Sequence, residues 1–141
     1  MISAALGYAR SRLVVLGYTE WDDGFNSENI PRTLLDRSFH LTLGDCSNRK
    51  NSHDNLEIDC PVSVELYRAQ NRKPKDLIDT GVGIADTVMA DILNAANRLT
   101  YGNGLMNVTF QTMRVIKSSD SNDNSLRVQI DLIMTVIIST V

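Results

Sequence analysis

The sequence predicts an α+β domain in which an antiparallel four-stranded sheet carries two helices packed on one face. Two segments repeat apolar residues at steps of three and four, as amphipathic helices do. Four segments alternate apolar and polar residues, as half-buried strands do. Their order is α-β-β-α-β-β, so each helix is followed by a hairpin. With 141 residues, 43% of them hydrophobic, we expect one domain over residues 1–141.

The first helix is predicted from Ile2 to Leu16. One apolar stripe runs along it, formed by Ala5, Leu6, Ala9, Leu13 and Leu16. Gly17 follows the last apolar position, where a residue able to adopt positive φ commonly ends a helix. Residues 17–31 are polar and acidic without a periodic pattern, so we expect a flexible loop there.

The first hairpin is predicted from two alternating segments. Residues 38–43 form the shorter strand, and residues 57–67 form the longer one, with Ile58, Cys60, Val62, Val64 and Leu66 on a single face. Pro61 has no amide hydrogen, which favours an edge position or a bulge over the middle of a sheet. Residues 45–55 between the strands are polar except for Cys46, and predict a mobile loop or an arm that a partner orders.

The second helix is predicted over residues 77–99, where one apolar stripe includes Ile84, Val88 and Leu99. Gly81 and Gly83 each make a helix about 1 kcal/mol less stable than Ala would, which weakens this prediction. Their small size would also let the helix lie close to the sheet. Two further strands, 106–117 and 126–140, follow. They are joined by the Ser-, Asp- and Asn-rich loop 118–125.

Charge and composition exclude several classes of protein. Fourteen Lys and Arg residues against 17 Asp and Glu residues give a net charge of −3, which argues against general binding to phosphate backbones. No apolar run approaches the roughly 20 residues of a membrane helix, and no basic segment precedes the N-terminal apolar residues as in a secretory signal. Cys46 and Cys60 are therefore expected as reduced thiols.

No catalytic, metal-binding or cofactor-binding residues are predicted. The run Gly81–Asp86 lacks the third glycine of a dinucleotide fingerprint and lies within a helical stripe. His40 and His53 are not spaced as metal ligands with the cysteines. No Gly-x-Ser-x-Gly elbow is present, so the sequence indicates a protein that is not an enzyme.

The second face of the predicted sheet is a candidate contact surface. It mixes the acidic Glu57, Asp59, Glu65 and Asp131 with the apolar Ile133 and Ile137. A lone domain would leave those isoleucines in water, so we expect another subunit to cover part of this face.

Three polar segments are candidates for contact with partners. Trp21, followed by Asp22 and Asp23, either anchors a partner or packs over the end of the core. In the loop 45–55, Arg49, Lys50 and His53 are candidate docking residues. Arg72 and Lys73 are typical of a solvated charge cluster, and alternatively pair with the acidic segment 20–28 of a neighbouring subunit.

The order of these elements resembles a known family. An N-terminal helix precedes Asn-Ile-Pro-Arg-Thr-Leu-Leu-Asp-Arg-Ser-Phe-His-Leu-Thr-Leu-Gly (29–44), and a polar arm, an acidic alternating strand, a long helix and a terminal hairpin follow. This pattern is similar to the neck and tail-completion proteins of long-tailed bacteriophages, above all the tail terminators. The similarity lies in length and element order over most of the chain.

The resemblance implies a structural virion protein at the tail neck, assembled in the cytoplasm of a bacterial host. It would form a hexameric ring on the tail tube, end tube polymerisation and present a surface to the head connector. Its partners would be its own copies, the tail-tube protein and a head-completion protein, with neither membrane nor cofactor. Glu57, Asp59, Glu65 and Asp131 would face the channel and repel DNA passing through it.

Three alternatives remain open at this point. Among phage neck proteins, a head-closure or connector protein would fit the same element order. Outside them, a homodimeric cytoplasmic binding module would use the same sheet face for a two-fold contact. A small α+β enzyme would need a pocket with convergent polar groups.

Overall fold

The computed structural model describes residues 2–21, 36–51, 54–68, 74–117 and 125–139. Its elements in chain order are α1 (Ser3–Val15), β1 (Thr19–Glu20), β2 (Ser38–Leu43), β3 (Ser47–Asn51), β4 (Asn55–Arg68), α2 (Pro74–Ile92), α3 (Ala95–Tyr101), β5 (Leu105–Lys117) and β6 (Leu126–Ser139).

The strands form one mixed sheet in the order β1-β2-β4-β6-β5, and β3 pairs with β4 on the same side as β2. β1 is parallel to β2, and every other pairing is antiparallel. The α+β class is thus confirmed. The predicted four antiparallel strands and two helices are wrong in number, because the described part of the chain contains six strands and three helices.

The predicted second helix divides at Asn94. This residue is extended, with ψ of 121°, and its side-chain oxygen accepts hydrogen bonds from Ala96 N and Asn97 N at 2.8 and 3.3 Å. Asn94 therefore caps a new helix, α3. The break ends the predicted stripe, so that Leu99 is 73% exposed, whereas Ile84 and Val88 are buried as predicted.

Two predicted loops contain strands. In the segment 17–31, Thr19–Glu20 pairs with β2, while residues 22–31 lie outside the described residues. In the segment 45–55, Ser47–Asn51 forms β3, whose side chains are all exposed. A polar segment can pair here because β4 supplies backbone partners that need no apolar side chains. Residues 118–124 of the third predicted loop lie outside the described residues.

Pro61 lies in the interior strand β4, contrary to the expected edge position or bulge. Its carbonyl accepts a hydrogen bond from Gly44 N at 2.8 Å, so its missing N–H also points towards the β2–β3 side of β4. That side is interrupted, since β2 ends at Leu43 and β3 begins at Ser47. The missing donor therefore falls at a gap between two short strands, where no ladder bond is lost.

The core lies between one face of the sheet and the helices. α1 packs over the β2–β4–β6 side and α2 over β5 and β6. The buried Tyr8 hydroxyl of α1 donates to the Ile92 carbonyl of α2 at 2.7 Å. Arg12 of α1 holds Asp91 of α2 through two hydrogen bonds of 2.6 and 2.8 Å, so a buried contact and a charged pair both join the helices. None of the helices in the described ranges is long and apolar enough to span a bilayer.

Candidate interaction surface on the open sheet face

The sheet face opposite the helices is called the open face. Its side chains come from the residues of β2, β4, β6 and β5 that alternate with core residues. Along β4 they are Glu57, Asp59, Pro61, Ser63 and Glu65, and along β6 Gln129, Asp131, Ile133, Thr135 and Ile137. The four predicted acidic residues and the two predicted isoleucines therefore share one surface.

Asp131 lies at the centre of the open face and accepts three hydrogen bonds. The hydroxyls of Ser63 and Thr112 donate to its two carboxylate oxygens at 2.8 Å each, and Gln129 Nε2 donates at 3.2 Å. Arg114 in turn donates to Gln129 Oε1 at 3.2 Å. Partial burial acts to raise the pKa of Asp131, but these hydrogen bonds outweigh it and lower the pKa below its ordinary value.

A second fixed carboxylate, Asp59, lies two rows along the open face, beyond the Pro61/Ile133 pair. Thr135 is only 2% exposed and donates to Asp59 Oδ1 at 2.7 Å. The same hydroxyl accepts a hydrogen bond from Arg49 Nη1 of β3 at 3.4 Å. Arg49 thus lies on the open face next to Asp59. β3 is therefore joined to the sheet by this side chain as well as by its backbone pairing with β4.

The other two acidic residues lie towards the ends of the face. In the strand register Glu65 lies between His40 and Gln129, and Glu57 lies between Lys50 and Ile137. His40 Nδ1 is 2.9 Å from the carbonyl oxygen of Trp21. The carboxylates therefore differ in setting: Asp59 and Asp131 are held near the centre, while Glu57 and Glu65 flank them.

Ile133 and Ile137 are half-buried and interleaved with the acidic residues. Ile133 lies between Asp131 and Thr135 along β6 and opposite Pro61, and Ile137 lies opposite Glu57. A contact that covers Ile133 must also cover the neighbouring carboxylates. The residues expected in a subunit contact and those expected to line a channel therefore lie side by side on one surface.

The structure describes three of the candidate docking and contact residues of the polar segments, Trp21, Arg49 and Lys50. Trp21 is half-buried, and its indole nitrogen is buried. Its backbone N–H donates to Phe39 O at 2.7 Å. Both observations favour a side chain that packs at the sheet edge over one that projects to anchor a partner. Arg49 and Lys50 are exposed on β3. The remaining candidates, Asp22, Asp23, His53, Arg72 and Lys73, lie outside the described residues.

Sequence reasoning missed the residues that hold Asp131 in place. Ser63, Thr112 and Gln129 lie on three different strands, and only the register brings them around one carboxylate. The available signal was weak: each is a polar residue at an outward strand position. Two bulges in β5, at Leu105/Asn107 and Phe110/Thr112, also change which β5 residues face outward, so simple alternation would misplace Thr112.

No three His, Cys, Asp or Glu side chains gather closely enough to hold a metal ion within the described ranges. What the open face offers is a set of fixed hydrogen-bonding groups around half-buried apolar side chains, which is suited to contact with another macromolecule. The sequence matches no protein-family model, and a search of curated proteins found no relative.

Proposed function

We propose that this chain is a structural, non-enzymatic protein of a long-tailed phage virion that assembles into a ring at the tail neck. In this proposal the ring caps the tail tube, ends its polymerisation and presents the surface to which the head joins. The observation that carries the proposal is the open face, a helix-free sheet surface where half-buried isoleucines are surrounded by polar groups already bonded to one another.

The bonding within the open face favours a subunit contact at its centre. Burying a carboxylate without partners is costly, and each unpaired group adds a penalty of about 1–3 kcal/mol. Asp131 accepts three hydrogen bonds within its own subunit and Asp59 accepts one. A neighbouring subunit can therefore cover Ile133 without stranding those two charges.

The flanking acidic residues then serve the channel. Glu57 and Glu65 lie on either side of the central patch, where they stay in water while Ile133 is covered. Negative charge on a channel wall repels DNA and keeps it from sticking during passage. The four acidic residues thus divide into two central ones with structural partners and two flanking ones that face the channel.

The exposed strand β3 supports a docking role. Its five side chains are all exposed, and Arg49 and Lys50 give it positive charge. Short, charged edge strands avoid indiscriminate pairing while leaving side chains free for a specific partner. We assign β3 to contact with the tail tube or the head-completion protein.

Assembly of purified protein tests the proposal. Native mass spectrometry and negative-stain electron microscopy at high concentration are expected to show closed rings with a central opening. Ile133→Glu places a charge in the centre of the open face and is expected to abolish the rings. Leu99→Glu is the matched control, since Leu99 is 73% exposed on α3.

Thermal melting of each variant establishes that it is folded. Discrete dimers at every concentration would contradict the ring and favour a homodimeric binding module. Rings that survive Ile133→Glu but not Leu99→Glu would place the subunit contact on the helical side, and the role given to the open face would be wrong. A head-closure protein differs in its partner, and binding to the head connector in preference to tail tubes would identify it.

A further inference from the structure

The two cysteines meet at the gap between β2 and β3. Gly44 N donates to Pro61 O, and Ser47 pairs with Asp59, so the chain between Gly44 and Ser47 runs alongside Cys60. Cys46 lies in this stretch and packs against the core that contains Cys60. The two positions are 14 residues apart in sequence and become neighbours only through the register of β3 on β4.

The two thiols lie beside each other in the register but differ in access to solvent. Cys60 is fully buried on the core face of β4, whereas Cys46 is partly exposed and packs against the same core. The Cys46 thiol donates to Gly44 O at 3.9 Å, at the point where Gly44 meets Pro61, the residue next to Cys60. Burial, followed by the neighbouring Cys46 thiol, raises the pKa of the Cys60 thiol to about 12. One thiol is therefore reachable, and the second is protected but adjacent.

We propose that Cys46 and Cys60 are a modification site, a dithiol that low-molecular-weight disulfides such as oxidised glutathione convert into an intramolecular disulfide. Both thiols are reduced in the structure. Their proximity at the foot of the β3–β4 hairpin supplies the geometry, and the difference in exposure sets the order of the steps. The inference stands independently of the proposed phage function.

The chemistry proceeds in two balanced exchanges. The Cys46 thiolate attacks one sulfur of oxidised glutathione, forms a mixed disulfide and expels one glutathione thiolate. Cys60 then attacks the Cys46 sulfur, which forms the Cys46–Cys60 bond and expels the second glutathione thiolate, and the Cys60 proton is taken up by this leaving thiolate. The protein loses two hydrogens, and one glutathione disulfide is reduced to two glutathione molecules.

The Cys46–Cys60 disulfide would tie the start of β3 to β4. It closes a loop that contains all of β3 and the start of β4, and the closed loop restricts the unfolded and partly opened states of this hairpin. Oxidation is therefore expected to slow amide hydrogen exchange in residues 47–51 by about tenfold. β3 carries the exposed Arg49 and Lys50, so the redox state controls how firmly these side chains are presented.

Intact-mass spectrometry of the full chain with oxidised glutathione at pH 8 tests the proposal. The wild type is expected to lose the mass of two hydrogens, to carry no adduct and to recover on reduction with dithiothreitol. Cys60→Ser is expected to stop at a stable glutathione adduct on Cys46. Cys46→Ser is expected not to react in the native state, because Cys60 alone is buried.

Three results would overturn the proposal. A lasting glutathione adduct on the wild type would show that the second exchange does not occur. Disulfide-linked dimers would show that Cys46 pairs between chains, and an unreacted wild type would show that Cys46 is not reached. Amide hydrogen exchange of residues 47–51 provides a second readout. Equal protection of these amides in reduced and oxidised protein would show that the disulfide does not stabilise β3.

Discussion

At the residue scale, Asp131 shows how a sheet surface positions a charge. Its carboxylate accepts hydrogen bonds from Ser63, Thr112 and Gln129, so three strands converge on one side chain. Hydrogen bonds to a charged acceptor are stronger than those between neutral groups. The residue is therefore a structural link between β4, β5 and β6 as well as a surface charge.

Replacing Asp131 by Asn is expected to lower the free energy of unfolding by about 1 kcal/mol at pH 7, because the amide can accept only at its oxygen and its NH2 group faces hydroxyl donors. The folded-state pKa of Asp131 lies below its ordinary value, so its stabilising contribution is present at neutral pH and is lost as pH falls through the folded pKa. Urea unfolding at pH 7 and pH 3 measures both effects.

The difference between wild type and Asp131→Asn is expected to shrink at pH 3, because the wild type alone loses this contribution. The exposed Asp86 of α2 provides the control, and Asp86→Asn is expected to leave stability within about 0.5 kcal/mol at both values. A difference that stays constant between pH 7 and pH 3 would contradict the role of the carboxylate charge.

At the element scale, the packing of α2 on the sheet depends on one of its two early glycines. A Cβ atom at Gly81 would lie 2.7 and 2.9 Å from the two Cγ atoms of Val115 on β5. Gly83 has open space around it and is exposed. Close packing was expected at both glycines, and the structure shows it at Gly81 alone.

Alanine at the two positions is expected to have opposite effects on stability. Gly83→Ala is expected to raise the free energy of unfolding by about 1 kcal/mol, since Ala is the better helix former and meets no neighbour. Gly81→Ala gains the same propensity but forces its methyl group against the stiff, β-branched Val115, so a net loss of about 1 kcal/mol is expected. Thermal and urea unfolding of both variants provides the comparison, and equal stabilisation by both would show that α2 does not lie close to β5.

At the scale of the whole molecule, functional groups are separated onto distinct surfaces. The helices cover one face of the sheet, the centre of the open face carries fixed polar groups around Ile133, and β3 presents exposed positive side chains at the edge of the open face next to residues 56–59 of β4. A protein that contacts its own copies and other partners needs separate patches for each contact. This separation predicts that joining and self-assembly can be disrupted independently.

Under the proposed neck function, Lys50→Glu is expected to weaken binding to tail tubes or the head-completion protein about fivefold to tenfold, while ring assembly and melting temperature stay unchanged. The reason is that Lys50 is exposed on β3, away from the central patch of the open face. Arg10→Glu on α1 makes the same change in net charge and breaks only an exposed ion pair with Glu20, so it is the matched control.

Binding of both variants to purified tubes and connectors is measured by co-sedimentation. Equal weakening by Arg10→Glu would show that net charge, rather than the side chains of β3, governs binding to tubes and connectors. Loss of rings in Lys50→Glu would show that β3 belongs to the subunit contact.

Much of the fold follows from the order of residues along the chain. Alternation determined the strands 38–43, 55–68, 105–117 and 126–139 to within about two residues, because a half-buried strand must alternate its side chains. The end of α1 at Gly17 was also readable, since its φ of 94° suits glycine. These features depend on local periodicity and local backbone preference, which a single sequence contains.

The tertiary structure alone decided the rest. β3 is a strand because β4 offers it backbone partners, Pro61 is tolerated inside the sheet because β2 and β3 leave a gap beside it, and Leu99 is exposed because Asn94 starts a new helix. Likewise Cys46 meets Cys60, and three strands surround Asp131, only through the register. The physical reason is that hydrogen-bond pairing and register join residues distant in sequence, and no pattern within one segment specifies which distant partner it will meet.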